Sequence, residues 1–364
     1  MIKHIRLGIV FIFLFSIIAI NGMAEHPENP EEDTHHSEAP NDKEFKPGEF
    51  IFDHIADSHE WHILTWKGNH VSVPLPVILY SKTSGLSVFI SSKLAHGHHY
   101  KNFQYGEGEY KGEIIEKNKQ GEITVPLDFS ITKNVLAIFF SLALMLYLFF
   151  TISKAYKKAP IEAPKGLQNF LEPVILFIRD DVAIPSIGAK KYERFMPFLL
   201  TLFFFILINN LFGLIPIIPG GANVTGNIAV TMALALFTFI IQVLSGNKHF
   251  WKHIFNAPGV PWWLKIPIPL IPLIEFVGIL IKPFVLMVRL FANISAGHII
   301  ALGFFSLIFI FGQINIAAGY GISLLTVAFT IFMTCLELLV AFIQAYVFTL
   351  LSAIYFGMAV DDGH

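Results

Sequence analysis

The chain has one cysteine, Cys335, in 364 residues, and it lies inside an apolar run. Neither a disulfide framework nor a cysteine-built metal site can form within one such chain. Charge is also scarce, at 14% of residues with a formal net charge of -2, a balance that carries no nucleic-acid signature. The sequence has no phosphate loop of the GxxxxGK[ST] type, which removes that route to nucleotide binding. It has no paired HExxH spacing, which sets aside an intramembrane metallohydrolase. No internal repeat is visible either, although a self-contained secondary transporter would be expected to carry one.

What the chain has instead is apolar length: 54% of its residues are hydrophobic and they come in long uninterrupted runs. That is the composition of a polytopic membrane protein. Residues 1–24 open with Lys3 and Arg6, continue through LGIVFIFLFSIIAI and end at small residues Gly22 and Ala24. This layout predicts a secretory signal peptide cleaved after Ala24, with an uncleaved anchor as the alternative. The acidic, Pro-rich stretch 25–49 reads as disordered. Residues 50–130 form an exported region, in which WHILTW, VSVPLPVILY and LSVFI, bounded by Gly68-Asn69 and Ser84-Gly85, predict a small β-rich unit. His54, His59, His62, His70, His96, His98 and His99 crowd this region. No carboxylate or cysteine falls at a recognised ligand spacing beside them, so a solvated histidine-rich surface is expected rather than a metal site.

The spans follow. The first runs over 131–153 and is followed at once by Lys154, Lys157 and Lys158, which puts that end in the cytoplasm by the positive-inside rule. Residues 154–195 read as a cytoplasmic amphipathic segment, with Leu167, Phe170, Leu171, Val174 and Phe177 along one face. A transmembrane hairpin occupies 196–247, split by Pro216, Pro219, Gly220 and Gly221. Asn209, Asn210, Asn223 and Asn227 border its outer turn, either to hydrate a path or to pair with backbone. A cytoplasmic loop, 248–272, returns the chain to 273–364, a long helical hairpin. Each arm is near 40 residues, about 60 Å as straight helix and twice the ~30 Å hydrocarbon thickness, so steep tilt is expected. The fold class is therefore an all-α polytopic membrane protein of about five membrane helices with a β-rich exported N-terminal region.

Within that hairpin, Arg289 is the only Lys, Arg, Asp or Glu between Lys282 and Glu337. An intramembrane Arg costs from ~3 to ~10 kcal/mol or more, so it marks function by default. Glu275, Lys282 and Arg289 are spaced by sevens and share nearly one helix face, with Asn293 a turn beyond. His298 lies half a turn round and ~13 Å further along. Glu337 and Gln344 share a face of the last helix, so the two helices paired antiparallel would line a polar seam. Carboxylate and imidazole can pass protons there, whereas Arg stays charged as a barrier. The plainer alternative is a structural Arg289–Glu337 ion pair. Ala292, Ser295, Ala296 and Gly297 beside the Arg would let a helix of another subunit approach closely.

RLFANISAGH from Arg289, INNLFGLIP from Ile208, NVTGNIAVTMALAL from Asn223 and the stretch from Glu337 to Gln344 resemble subunit a of the rotary F-type ATP synthase. The resemblance covers the chain from about residue 125 onward, with a weaker echo at FIFDHIADS. It implies a stator subunit that is not catalytic alone, binds no cofactor or nucleotide, and holds two offset proton half-channels against a ring of c subunits. Arg289 would face the ring carboxylate and keep the half-channels apart. Asn293, His298, Glu337 and Gln344 match outer half-channel positions and Glu275 a cytoplasmic one. In many bacterial members Glu stands where His298 does and His where Glu337 does, so the relay keeps one of each in exchanged order. The implied partners are the c-ring, the peripheral-stalk b subunits, the remaining F0F1 subunits and the lipid bilayer, in a bacterial inner membrane with the mature N-terminus periplasmic and the C-terminus cytoplasmic. The rival class is a self-contained transporter or ion channel with Arg289 as an anion site.

Overall fold

The computed structural model describes residues 46–66, 69–118, 122–158, 164–215, 220–255 and 270–362. The expected signal peptide and most of the acidic segment lie outside these residues. Helix α1 (Pro47–Ile55) begins before residue 49, so the expected disorder does not run to that boundary. Pro47 sits in its first turn, where a missing N–H is not needed.

Short antiparallel strands follow. β1 (Glu60–Trp66) and β2 (Asn69–Pro74) form a hairpin. β3 (Pro76–Ser81) is flanked by β4 (Gly85–Ile90) and β8 (Leu127–Asp128), while β6 (Ile114–Lys117) lies between β5 (Phe103–Tyr105) and β7 (Ile123–Thr124). Strand β3 shows why this region is β-rich. Val77, Leu79 and Ser81 are buried and Pro76 and Tyr80 exposed, the period-two pattern of a strand with one covered face. Gly85 closes the turn into β4 at φ 64°, a conformation in which a Cβ is strained. Val77, Leu79, Phe89, Leu94, Phe103 and Ile114 make the small core. Trp61 belongs instead to the cluster that includes Ala137 and Ile138 of the first span, so the β-rich region is seated on the membrane helices.

The first span is α2 (Lys133–Lys158), which starts slightly later than expected and carries Lys157 and Lys158 in its last turn, where cations suit the helix dipole. The amphipathic segment becomes α3 (Leu167–Phe177), a π-helical turn over Ile178–Ala183 and the short α4 (Ile184–Ile187). The hairpin is α5 (Tyr192–Leu214) and α6 (Ile228–Ser245), and the loop after it carries α7 (Lys248–Phe255). The long pair is α8 (Leu270–Ile314) and α9 (Ile316–Val360). Among the described residues, α2, α5, α6, α8 and α9 are long and apolar enough to cross a membrane.

Pro283 does not break α8, and the two long helices are 45 residues each. Each is ~68 Å long, so neither can stand upright in a hydrocarbon layer of ~30 Å. The joint between them is the single residue Asn315, whose side-chain oxygen accepts from the Ala317 N–H at 2.9 Å and caps α9. Beyond it Gly319 lies against Gly312, where an added Cβ would fall 2.8 Å from the Gly312 Cα. The far end of α9 is clasped by two polar side chains. Lys191 donates to the Val360 carbonyl at 2.6 Å, and Asn247 Nδ2 to the Asp361 carbonyl at 2.6 Å. Phe203, Leu199 and Ile206 of α5, Leu286 and Leu290 of α8 and Phe356 of α9 are fully buried between these clasps and the joint.

Candidate functional site

The polar stripe on α8 divides in the structure. At its N-terminal end, Lys282 and Glu275 are within electrostatic reach of each other. Lys282 Nζ also lies 3.6 Å from Met358 Sδ and 5.5 Å from the centre of the Tyr355 ring, both on α9. A cation held over an aromatic face in this way is attracted by the ring quadrupole. One turn-pair further on, Arg289 is exposed and makes no hydrogen bond or ion pair among the described residues. Its electrostatic neighbour is the Tyr355 phenol. Ala292, Asn293 and Ala296 share its exposed face.

Glu337 is elsewhere. Its carboxylate packs on Gly297, where an added Cβ would fall 2.8 Å from Oε1 and 3.2 Å from Cγ. Gly297 is eight residues past Arg289, about 12 Å along the helix, so the plain ion-pair alternative does not form. Glu337 Oε1 is buried with no hydrogen-bond partner among the described residues. His298 follows Gly297 and so lies at the same level as Glu337. Its Nε2 turns toward the hairpin, 3.4 Å from where a Cβ on Gly213 would stand, with the Ala222 carbonyl in the same wall. Carboxylate and imidazole are thus brought to one depth, and the guanidinium sits well below both.

The small residues beside Arg289 serve two purposes rather than one. Ala292 and Ala296 face outward as expected, but Ser295 is buried and donates to the Gly226 carbonyl at 3.3 Å, and Gly297 is the floor under Glu337. The asparagines pair mainly with backbone. Asn210 Nδ2 donates to the Ala341 carbonyl at 3.0 Å and its Oδ1 accepts from Thr225 at 2.6 Å. Asn209 donates to Ser141 and to the Phe205 carbonyl, Asn223 accepts from Gly226 N, and Asn227 caps α6. The Asn209 Oδ1 is buried and unpaired among the described residues, leaving one acceptor for the hydrated-path alternative. Gln344 is 7% exposed on α9, one turn beyond Ala341 and so beside the Asn210 bond. Gly213 was not singled out by the sequence, which offers only a glycine in an apolar helix.

In the β-rich region, no group of three or more His, Cys, Asp or Glu is arranged to hold a metal among the described residues. His59 instead pairs with Asp128 at 2.7 Å. Glu116 is fully buried and accepts from Ser81 and Ser84.

Residues 135–357 match the family model described as ATP synthase A chain, and residues 50–134 match a domain of unknown function, DUF8433. The two matches meet at the start of α2. "ATP synthase subunit a" of Chloroherpeton thalassium is 46% identical over 249 residues, 65% of this chain and 70% of the relative. The protein of that name from Anaeromyxobacter dehalogenans is 35% identical over 335 residues, 88% of this chain and 80% of the relative. The one from Myxococcus xanthus is 41% identical over 243 residues, 65% and 75% of the two chains.

Proposed function

The chain belongs to the ATP synthase A chain family, and on that premise we propose that it is the stator subunit that couples proton flow through the membrane sector to rotation of a c-ring. The observation that carries this reading is Arg289: an exposed guanidinium among small side chains on α8, with no ion-pair partner among the described residues. A charge at membrane depth needs a counter-charge, and here a second subunit supplies it. The ring's membrane carboxylate is that counter-charge.

Arg289 stabilises the ionised ring carboxylate at close range, and a proton arriving from either half-channel neutralises the carboxylate and releases it. Because Arg keeps its proton, it also blocks direct passage between the half-channels. The outer half-channel runs by His298 and Glu337, the two proton-exchanging groups at one depth, with Gln344 and Asn293 between them and Arg289. Glu275 serves the cytoplasmic side. The applied field contributes about 2.3 kcal/mol per charge for each 100 mV. The N-terminal region is exported, the C-terminus is cytoplasmic, and the b subunits and remaining F0F1 subunits complete the stator and the catalytic head, where ATP forms.

The test is ATP-driven proton pumping in vesicles carrying the assembled complex with Arg289→Ala, beside passive proton leak after the catalytic head is stripped. Lost pumping with intact assembly and added leak are expected. Undiminished pumping would reduce Arg289 to a structural charge and reopen the transporter class.

A further inference from the structure

The β-rich exported region does more than precede the first span. It lays helix α1 along α8, where the Phe50 ring lies 6.3 Å from Phe309. One turn on, the His54 ring lies 6.1 Å from Phe50. The end of α1 is fixed to the top of α2 as well. Lys133 Nζ donates to the carbonyls of His54 at 3.3 Å and Ala56 at 3.0 Å. The Asp57 carboxylate accepts from Thr132 Oγ1 at 2.7 Å and from the N–H groups of Asn134 and Ser58, both at 3.0 Å. This pinning leaves the imidazole of His54 exposed at the top of α2, and lower down the same helix Ser141 accepts from Asn209 at 3.1 Å, one turn before the Gly213 that borders the His298 ring.

We propose that His54 is a proton-accepting station at the mouth of the outer half-channel, passing protons from the exported side to His298. The assignment rests on the half-channel function proposed above. Hydronium gives its proton to the imidazole, forming an N–H bond and leaving water. The imidazolium then releases a proton through hydrogen-bonded water to His298 and on to the Glu337 level. The charge that enters equals the charge that leaves, and no oxidant or reductant is needed.

The groups around His54 fit that role. Lys133 stands beside it at the start of α2, His62 of β1 and His298 of α8 are within its electrostatic reach, and Asp57 is turned toward Thr132 and Asn134. Partial burial and the charges of Lys133 and His62 hold His54 below its usual value, so the ring is neutral near pH 7 and can accept a proton. A permanently charged side chain at this place would repel the arriving proton instead.

The experiment uses inverted vesicles carrying the whole complex, in which the exported side is the lumen. ATP synthesis is measured against luminal pH for the parent, His54→Ala and His54→Gln, with and without imidazole loaded in the lumen, and His298→Ala is run alongside. Both His54 variants are expected to lose about tenfold at neutral luminal pH, less than the ~10²-fold or more of a positioned acid–base group because bulk water still reaches His298. The loss should shrink as luminal pH falls, and free imidazole should restore the rate. An unchanged rate and pH profile, or a loss equal at every pH that imidazole does not relieve, overturns the assignment. If His298→Ala itself transports normally, it is the half-channel reading that falls.

Discussion

Gly297 and Glu337 fit together as floor and occupant: a Cβ on the glycine would stand 2.8 Å from Glu337 Oε1 and 3.4 Å from its Cδ. The carboxylate keeps its depth only because residue 297 has no side chain. Gly297→Ala should therefore displace the Glu337 tip, and Gly297→Val should drive it out of line with His298. Because the crowded atoms end a flexible side chain, assembly should survive while ATP-driven pumping falls by ~10-fold for Val and less for Ala. Pumping rates set against the amount of assembled complex would check this. Equal rates for Val and the parent would show that Glu337 works from another position.

Gly357 is the contrasting glycine. A Cβ there would meet the Ser186 carbonyl oxygen at 1.9 Å and its carbon at 3.0 Å, and backbone cannot swing aside. Gly357→Ala should lever α9 away from α4 and cost ~1–3 kcal/mol, the usual range for overpacking. Gly278→Ala, with open space at its Cβ, is the control and should be near neutral. Thermal aggregation midpoints of the purified complex would separate the two.

Much of the fold was legible because its periods were long. Charge-free runs, the Pro-Gly break after Ile215 and the lysines after the first span pointed to about five spans, and among the described residues five helices are long and apolar enough to cross a membrane. The joint at Asn315 was blurred because nothing but a single asparagine cap marks it, and the short amphipathic segment gave no sign of its π-helical turn. In the site, Glu275, Lys282 and Arg289 are spaced by sevens along one continuous helix, α8, a spacing that keeps them near one side of it. The spacing could not tell that Glu337 lies at the level of Gly297, about 12 Å along the helix from Arg289, since that depends on the register of two antiparallel helices. Small residues looked alike in sequence; only packing separates the outward Ala292 from the Gly297 that seats a carboxylate.

In the β-rich N-terminal region, pH dependence should come from Asp128. Burial pushes its carboxyl up, but the bond and charge of His59 at 2.7 Å, with the Ser130 contacts, outweigh it and leave the carboxyl below its usual value. A lowered carboxylate adds stability at pH above its unfolded value near ~3.9 and loses it as pH falls through the folded one. Asp57 has the opposite sign: burial raises it, despite bonds from Asn134 and Thr132, so its contribution is lost as pH rises through its folded value. Amide exchange at β8 in the intact complex should therefore quicken below about pH 4, and Asp128→Asn should remove that step. A step that persists in Asp128→Asn would assign it to another group.

Asn210 joins three parts of the chain. It stands on α5, donates to the Ala341 carbonyl of α9 at 3.0 Å, and accepts from Thr225 before α6 at 2.6 Å, and the residue is 3% exposed. Asn210→Leu keeps the volume but strands the Thr225 hydroxyl, a buried donor whose loss of a partner costs ~1–3 kcal/mol. The double variant Asn210→Leu with Thr225→Val removes donor and acceptor together and should recover part of that cost, as a double-mutant cycle measures. Both should pump protons more weakly than the parent if the bond also fixes Gln344, one turn from Ala341, in the path. Recovery of stability without recovery of pumping in the double variant is the expected result, since only the first depends on satisfying the hydroxyl.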